Sequence, residues 1–138
     1  MNDGTGHFYD IAPKRNPDIA EIGMVTAAAW VDMTDDPGKE LVITGEWMAP
    51  RIFEYANHQF KEIKTNLSDM YGWWRSIAIA DVNNDGKQDL ILGNIGENFY
   101  LKPDKEHPVK LWMNDFNQSG IEIKFLPAQL MAGICLYF

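Results

Sequence analysis

The amino-acid sequence predicts an all-β protein built from a repeated hairpin. Three observations support this prediction: apolar residues recur in short runs, clusters of Gly, Asn and Asp separate the runs, and the pattern repeats along the chain. Short apolar runs bounded by turn residues are typical of β-strands, whereas no long segment keeps the roughly 3.6-residue period of a helix. The predicted strands cover residues 25–31, 41–44, 51–55, 59–63, 74–80, 90–92 and 109–113.

The repeat defines the unit of the fold. Residues 23–32 align with residues 72–81, and each segment is followed by a polar loop, an acidic residue and a new apolar run. The aligned aspartates, Asp32 and Asp81, are 49 residues apart (81 − 32). A fixed period of about 20 to 50 residues indicates a solenoid or a propeller, and this period fits one propeller blade of four strands. The sequence therefore predicts about two blades of a β-propeller with Asp/Asn-rich hairpin loops.

The blade boundaries follow from the same alignment. The turn at Asn2 resembles the later turn at Asn57, because each leads into an aromatic strand residue. The chain is therefore expected to begin in the last hairpin of a preceding blade. Since propellers typically need about 4 to 8 blades, we expect neighbouring blades of a longer chain as partners. The repeat pattern stops after Glu122, which suggests an irregular or out-of-frame tail. The predicted segments are the end of a preceding blade (1–22), a full blade (23–71), a second blade with the start of the next (72–122) and the tail (123–138).

The loop from Asp81 to Asp89 carries the clearest chemistry. Calcium takes about 6 to 8 oxygen ligands, so its site needs several carboxylate or amide oxygens converging from one tight turn. An EF-hand loop shares the first six positions, but it has Glu at the twelfth position and flanking helices, whereas Leu92 stands there and the flanks are β-rich. A hairpin turn without metal is the alternative interpretation. The predicted calcium ligands are Asp81, Asn83, Asp85, the Lys87 carbonyl and Asp89, with Gly86 permitting the sharp turn.

Two other loops depart from this pattern. In the first, Pro37 replaces the turn glycine and restricts φ, so the loop is a candidate second metal site with an altered path. In the other, Ile123 stands where the ninth-position acid is expected, which favours a turn without metal over a third site. The candidate ligands are Asp32, Thr34, Asp36 and Glu40 in the former loop and Asp115, Asn117 and Ser119 in the latter.

Charge and composition exclude several classes of function. The chain has 20 acidic and 12 basic residues and a formal net charge of −8, which disfavours a nucleic-acid partner and favours cations. No apolar stretch approaches the roughly 18 residues of a membrane span, and residues 1–20 lack the pattern of a signal peptide. The single cysteine, Cys135, cannot form an internal disulfide. Because no histidine cluster, phosphate loop or nucleophile elbow is present, we expect a protein that is not an enzyme.

The tryptophans raise an alternative function. Aromatic faces suit sugar rings, so Trp47, Trp73 and Trp74 are candidate ligand-binding residues. Alternation along a strand places one of the adjacent pair inside and one outside, and core packing is the competing explanation. The alternative is a glycan-binding or glycan-processing propeller, whose cleaving form needs two carboxylates facing one cleft.

The loop motif is specific enough to indicate a family. Asp-x-Asn-x-Asp-Gly-x-x-Asp between two strands, at residues 81–89, resembles the calcium loop of FG-GAP/VCBS repeats, and integrin α-chain propellers carry related loops. The strings that begin at Gly45, Gly72 and Leu111 are similar to large VCBS-repeat proteins exported by Bacteroidetes-type bacteria. The resemblance covers roughly residues 2–122. It implies a β-propeller, a structural calcium ion, an extracellular or cell-surface location, and a non-catalytic binding or adhesion role with a protein or glycan partner that it does not identify.

Overall fold

The computed structural model describes residues 1–34, 37–96, 109–125, 128–130 and 134–136, with side chains described as far as residue 122. The chain divides into two compact units, Met1–Gly96 and Glu97–Phe138. Antiparallel strands dominate the described residues, and helices are confined to a few short turns. The predicted all-β class is therefore confirmed.

The first unit contains a meander of four antiparallel strands. Strand β1 pairs with β2, β2 with β3, and β3 with β4, each to its neighbour along the chain. This is the strand order expected for one propeller blade. The four strands are β1 (Met24–Val31), β2 (Glu40–Met48), β3 (Arg51–Ala56) and β4 (Gln59–Ile63).

A second antiparallel pair follows the meander. Strands β5 (Gly72–Ala80) and β6 (Asp89–Asn94) form a hairpin, and β5 also pairs with the far end of β2. The six strands thus form one open sheet in the order β4-β3-β2-β5-β6, with β1 attached to β2. The open sheet agrees with the prediction of part of a propeller.

Two local features explain the turns and register of the meander. Asn57 and His58 have φ values of 51° and 62°, which is the backbone of a type I′ hairpin turn between β3 and β4. Gly45 lies where β1 approaches most closely, because a Cβ there would overlap the backbone oxygen of Met24. The missing side chain of Gly45 permits this close approach, and β2 continues through Gly45 to Met48, beyond the predicted strand 41–44.

Strand β2 carries buried side chains on both of its faces. Val42 and Ile43 are adjacent in β2 but enter different clusters, because successive side chains of a strand point to opposite faces. Fully burying one such side chain stabilises the fold by about 1.5–3 kcal/mol. One cluster joins the meander to the second hairpin through Val31, Val42 and Ile52 packed with Ala29, Ile63, Leu67, Ile77, Ile79 and Leu90. The other contains Ile43, Met48 and Phe53 packed with Ile19, Ile22, Leu41 and Phe60.

The segment before β1 has structure that the sequence pattern did not predict. Two helices of four residues, α1 (Ala12–Arg15) and α2 (Pro17–Ala20), precede the meander, each with a proline in its first turn. Ile19 of α2 covers the second core cluster. At the N-terminus, Asn2 pairs with Phe8 in an isolated antiparallel bridge, so a tight turn lies where the sequence predicted a hairpin.

The second unit contains short strands. β7 (Trp112–Asn114) pairs with β8 (Ile123–Phe125), and β9 (Ala128–Leu130) pairs with β10 (Ile134–Leu136). β8, β9 and β10 lie in the segment expected to be an irregular or out-of-frame tail. The reading-frame interpretation of residues 123–138, and the segment boundaries drawn from the repeat, stay predictions.

Candidate metal-binding loop

Three hairpins of the chain share one register. Val31 faces Glu40, Ala80 faces Asp89, and Asn114 faces Ile123. Two residues further from each loop, Ala29 faces Val42, Ala78 faces Ile91, and Trp112 faces Phe125. Each candidate loop therefore joins two strands at equivalent points of an equivalent hairpin, and the ninth-position residue of each loop is the first residue of the second strand.

The loop of β5 and β6 is held closed by its own polar side chains. The Asp81 carboxylate accepts hydrogen bonds from the backbone N–H groups of Asp85, at 3.1 Å, and Gly86, at 2.8 Å. Asn83 Oδ1 accepts from the same Asp85 N–H at 3.0 Å. The side chains at the first and third positions therefore both point into the loop, as the calcium interpretation requires.

The fifth and ninth positions complete this inward arrangement. Asp85 accepts from the Lys87 N–H at 2.8 Å and from the Asn83 side-chain amide at 2.9 Å. Asp89, half-buried at the start of β6, accepts from the Val82 N–H at 2.9 Å. All four predicted ligand side chains are thus oriented by hydrogen bonds inside one nine-residue loop.

The backbone of the loop requires two left-handed residues. Asn84 has φ of 61° and Gly86 has φ of 85°. Asparagine tolerates this region better than most residues with a side chain, and glycine adopts it without steric penalty. The Asn-Asp-Gly sequence therefore produces the sharp reversal that aims the oxygens inward.

These contacts favour the charged form of Asp85. The hydrogen bond from the Lys87 N–H, followed by the one from the Asn83 side chain, lowers the pKa of Asp85 below its ordinary value. Hydrogen bonds to a charged carboxylate favour the charged form. Asp85 therefore keeps its negative charge to lower pH than an unperturbed aspartate does.

In this conformation the loop is held by hydrogen bonds. Across the part of the chain that the structure describes, no three His, Cys, Asp or Glu side chains are grouped closely enough to hold a metal ion. The donor chemistry nevertheless suits a hard cation, because a carboxylate has about four lone-pair sites and each hydrogen bond uses one of them. Calcium binding by these residues therefore stays a prediction, and the structure shows their side chains turned into the loop.

The loop of β1 and β2 is held by a buried carboxylate. Glu40 is only 1% exposed, and it accepts hydrogen bonds from the Met33 N–H at 2.8 Å and the Thr34 hydroxyl at 3.1 Å. The Met33 contact matches the bond from Val82 to Asp89, since both join the second loop position to the ninth. Of the predicted ligands of this loop, the structure brings Thr34 and Glu40 together, and Asp36 lies outside the described residues.

The third loop reproduces the hydrogen bonds of the main loop. The Asp115 carboxylate accepts from the backbone N–H groups of Ser119, at 2.9 Å, and Gly120, at 2.7 Å. Asn117 also accepts from Ser119, and Gln118 and Gly120 have positive φ, as Asn84 and Gly86 do. The two turns thus share these hydrogen bonds and φ values although Ile123 replaces the ninth-position acid, and the absence of a metal from the third loop stays a prediction.

The three candidate tryptophans lie near the end of β2 and the start of β5. The rings of Trp47 and Trp73 pack edge to face with centroids 4.9 Å apart, and the Trp74 indole N–H donates to the Met70 carbonyl at 3.0 Å. Each is half-buried. Packing therefore occupies the rings of Trp47 and Trp73, a hydrogen bond holds the ring of Trp74, and the ligand-binding role of all three stays a prediction.

Comparison with known families identifies the repeat. Residues 32–92 match the FG-GAP-like repeat family, a span that includes both loops of the first unit. The match confirms the FG-GAP-like repeat that the loop motif predicted and supports a repeat module of the β-propeller type. No curated protein and no solved structure gives a significant match. Among the described residues, no helix has the length and apolar character needed to cross a membrane.

Proposed function

We propose that the loop at residues 81–89 binds calcium, and that the chain is a calcium-stabilised, non-catalytic binding or adhesion module of an extracellular or cell-surface protein. The observation that carries the proposal is that hydrogen bonds turn four oxygen-bearing side chains into one loop between two strands. Asp81, Asn83, Asp85 and Asp89 would hold the ion, together with the Lys87 carbonyl. The family match adds support, because FG-GAP repeats commonly occur in extracellular proteins.

The chemistry of the loop favours calcium over softer or smaller metals. Its side-chain donors are carboxylates and an amide, and oxygen ligands select hard cations. Magnesium demands a near-ideal octahedral shell, whereas calcium accepts a flexible set of about 6 to 8 oxygens. A loop with three carboxylates, one amide and one backbone carbonyl on a glycine turn fits the more flexible ion.

The role of the ion would be structural. Three carboxylates within nine residues repel one another, and a divalent cation removes that repulsion. A ligand that binds only the folded chain stabilises it by about 2.7 kcal/mol at 100 times its dissociation constant. Extracellular calcium modules bind with dissociation constants of about 0.1–1 mM, which suits calcium outside the cell.

A thermal-unfolding experiment tests the proposal. Calcium at about 100 times its dissociation constant should raise the Tm of the chain by roughly 8 °C, from the stabilisation above and the usual entropy of unfolding for this size. Asp85→Ala should abolish the shift, and Asp69→Ala, at an acid outside the loop, should leave it intact. Magnesium in place of calcium should give a smaller shift. Equal responses of wild type and Asp85→Ala would leave the loop as a turn held by hydrogen bonds.

A further inference from the structure

One hydrogen bond joins the loops of two successive hairpins. The backbone N–H of Asp32 donates to Oε1 of Gln88 at 3.3 Å, although 56 residues separate the two in sequence. Asp32 is the first residue of the loop between β1 and β2, and Gln88 is the eighth residue of the loop between β5 and β6. This hydrogen bond therefore connects two loops that occupy equivalent positions in the repeat.

Gln88 lies between two predicted ligands of the calcium loop. Lys87 would supply its carbonyl, and Asp89 would supply its carboxylate. Hydrogen bonds already anchor the backbone on both sides, from the Lys87 N–H to Asp85 at 2.8 Å and from the Val82 N–H to Asp89 at 2.9 Å. An ion held by both neighbours of Gln88 would restrict the backbone of Gln88 further, and with it the reach of the side chain.

The strands below the two loops are already fixed to each other. The Thr26 hydroxyl of β1 donates to the Trp74 carbonyl of β5 at 2.6 Å. Ile79 and Leu90 of the second hairpin pack against the buried cluster that includes Val31 of the first. These contacts hold the two hairpins together below the loops, and the Gln88 side chain spans the gap between the loops themselves.

We propose that Gln88 couples the two loops, so that a cation bound at residues 81–89 also orders the start of the neighbouring loop at Asp32 and Met33. The inference rests on the proposed function, since it assigns a second effect to the same ion. The coupling is reciprocal, as linkage requires: order at Asp32 favours the ion-binding form of the second loop by the same factor. One net hydrogen bond corresponds to a factor of about 5 in an equilibrium constant.

Amide hydrogen exchange of the full chain, with calcium and with EDTA, tests the coupling. In the wild type, calcium should slow exchange at Asp85 and Gly86 in the second loop and also, by about 5-fold, at Asp32 and Met33 in the first. In Gln88→Ala the slowing should persist in the second loop and disappear in the first. Gln88 is exposed, so the substitution should leave the fold intact.

Two further variants make the result specific. Gln88→Glu keeps an acceptor oxygen on the same stem and should retain slow exchange at Asp32. Lys39→Ala changes the exposed residue at the equivalent position of the first loop and should behave as the wild type. Slowing at Asp32 in Gln88→Ala equal to that in the wild type overturns the coupling. If calcium slows exchange only in the second loop of the wild type, the coupling is wrong and the proposed function stands. If calcium slows exchange in neither loop, both the coupling and the proposed function are wrong.

Discussion

Replacing Glu40 and replacing Asp89, the ninth-position acids of the two loops of the first unit, should affect stability differently. The loss should be larger for Glu40 without calcium, and the response to calcium should be lost only with Asp89. Glu40 and Asp89 make the same bond to the second position of their loops, but Glu40 is 1% exposed and Asp89 is half-buried. The difference in burial predicts that Glu40 has a structural role in the absence of calcium. Asp89, in contrast, should matter mainly when the ion is bound.

The magnitude follows from the hydrogen bonds that each substitution removes. Glu40→Ala leaves the Met33 N–H and the Thr34 hydroxyl without their acceptor in a site closed to solvent, and hydrogen bonds to charged groups contribute about 1.5–3 kcal/mol each. Allowing for the desolvation of the carboxylate that is also removed, we expect a loss of about 3 kcal/mol. Asp89→Ala removes one hydrogen bond from a half-buried site, so we expect a loss of about 1 kcal/mol without calcium.

Urea denaturation in EDTA and in calcium measures both effects. In EDTA, Glu40→Ala should lower the free energy of unfolding about three times as much as Asp89→Ala. Calcium should still stabilise Glu40→Ala, whereas Asp89→Ala should lose most of the response. If Asp89→Ala proves at least as destabilising as Glu40→Ala in EDTA, the burial argument is wrong.

Three further predictions concern the sheet, its surface charge and its aromatic end. Val42 (0% exposed) and Ile91 (44% exposed) occupy the same position in two hairpins, so Val42→Ala should cost about 2.5 kcal/mol and Ile91→Ala about 1 kcal/mol in urea titrations, despite the larger truncation. Hydrogen bonding to Arg51 lowers the pKa of Glu62, so this pair stabilises the fold above the ordinary carboxyl pKa of about 4.3, and the stabilisation is lost as pH falls through the lower folded-state value; Glu62→Gln should flatten that part of a plot of Tm against pH. On a glycan array, retention that is unaffected by EDTA and lost in Trp73→Ala would favour the alternative glycan-binding function, whereas equal signals from wild type and variant would remove it.

The strands could be predicted because their physical cause is local. The sequence predicts β4 at residues 59–63 and the structure has it at Gln59–Ile63, because a tight turn at Asn57 and His58 precedes its aromatic residue, Phe60. β2 was predicted too short, because Gly45 resembles a strand end in sequence while the structure uses it for the close approach of β1. A glycine that ends a strand and a glycine that admits a neighbouring backbone have the same sequence signal.

The short helices and the buried carboxylate were missed for different reasons. α1 and α2 have four residues each, which is too few to show a helical period, and their only signal was a proline near the start of each. Glu40 was predicted as a candidate ligand, yet its burial depends on strands that pack around it and is not encoded in the loop. Burial of this kind becomes visible only when the sheet is assembled.

The main loop was predicted well because its geometry depends on neighbouring residues alone. Asp81, Asn83 and Asp85 bond to N–H groups within five positions, so the motif itself determines the path. The same reasoning explains why the loop at Asp115 repeats the path without a ninth-position acid. The bond between Asp32 and Gln88, in contrast, joins distant residues, and no local pattern predicts it.

Direct measurement of bound calcium tests the central claim. Equilibrium dialysis or calorimetric titration of the wild-type chain and of Asp85→Ala gives the number of ions bound to each, and the carboxylate of Asp85 is anchored by Asn83 and Lys87 in the middle of the proposed site. We expect the wild type to bind one more calcium ion than the variant, with a dissociation constant of about 0.1–1 mM. A wild type that binds none, or a variant that binds as many ions with the same affinity, would contradict the account.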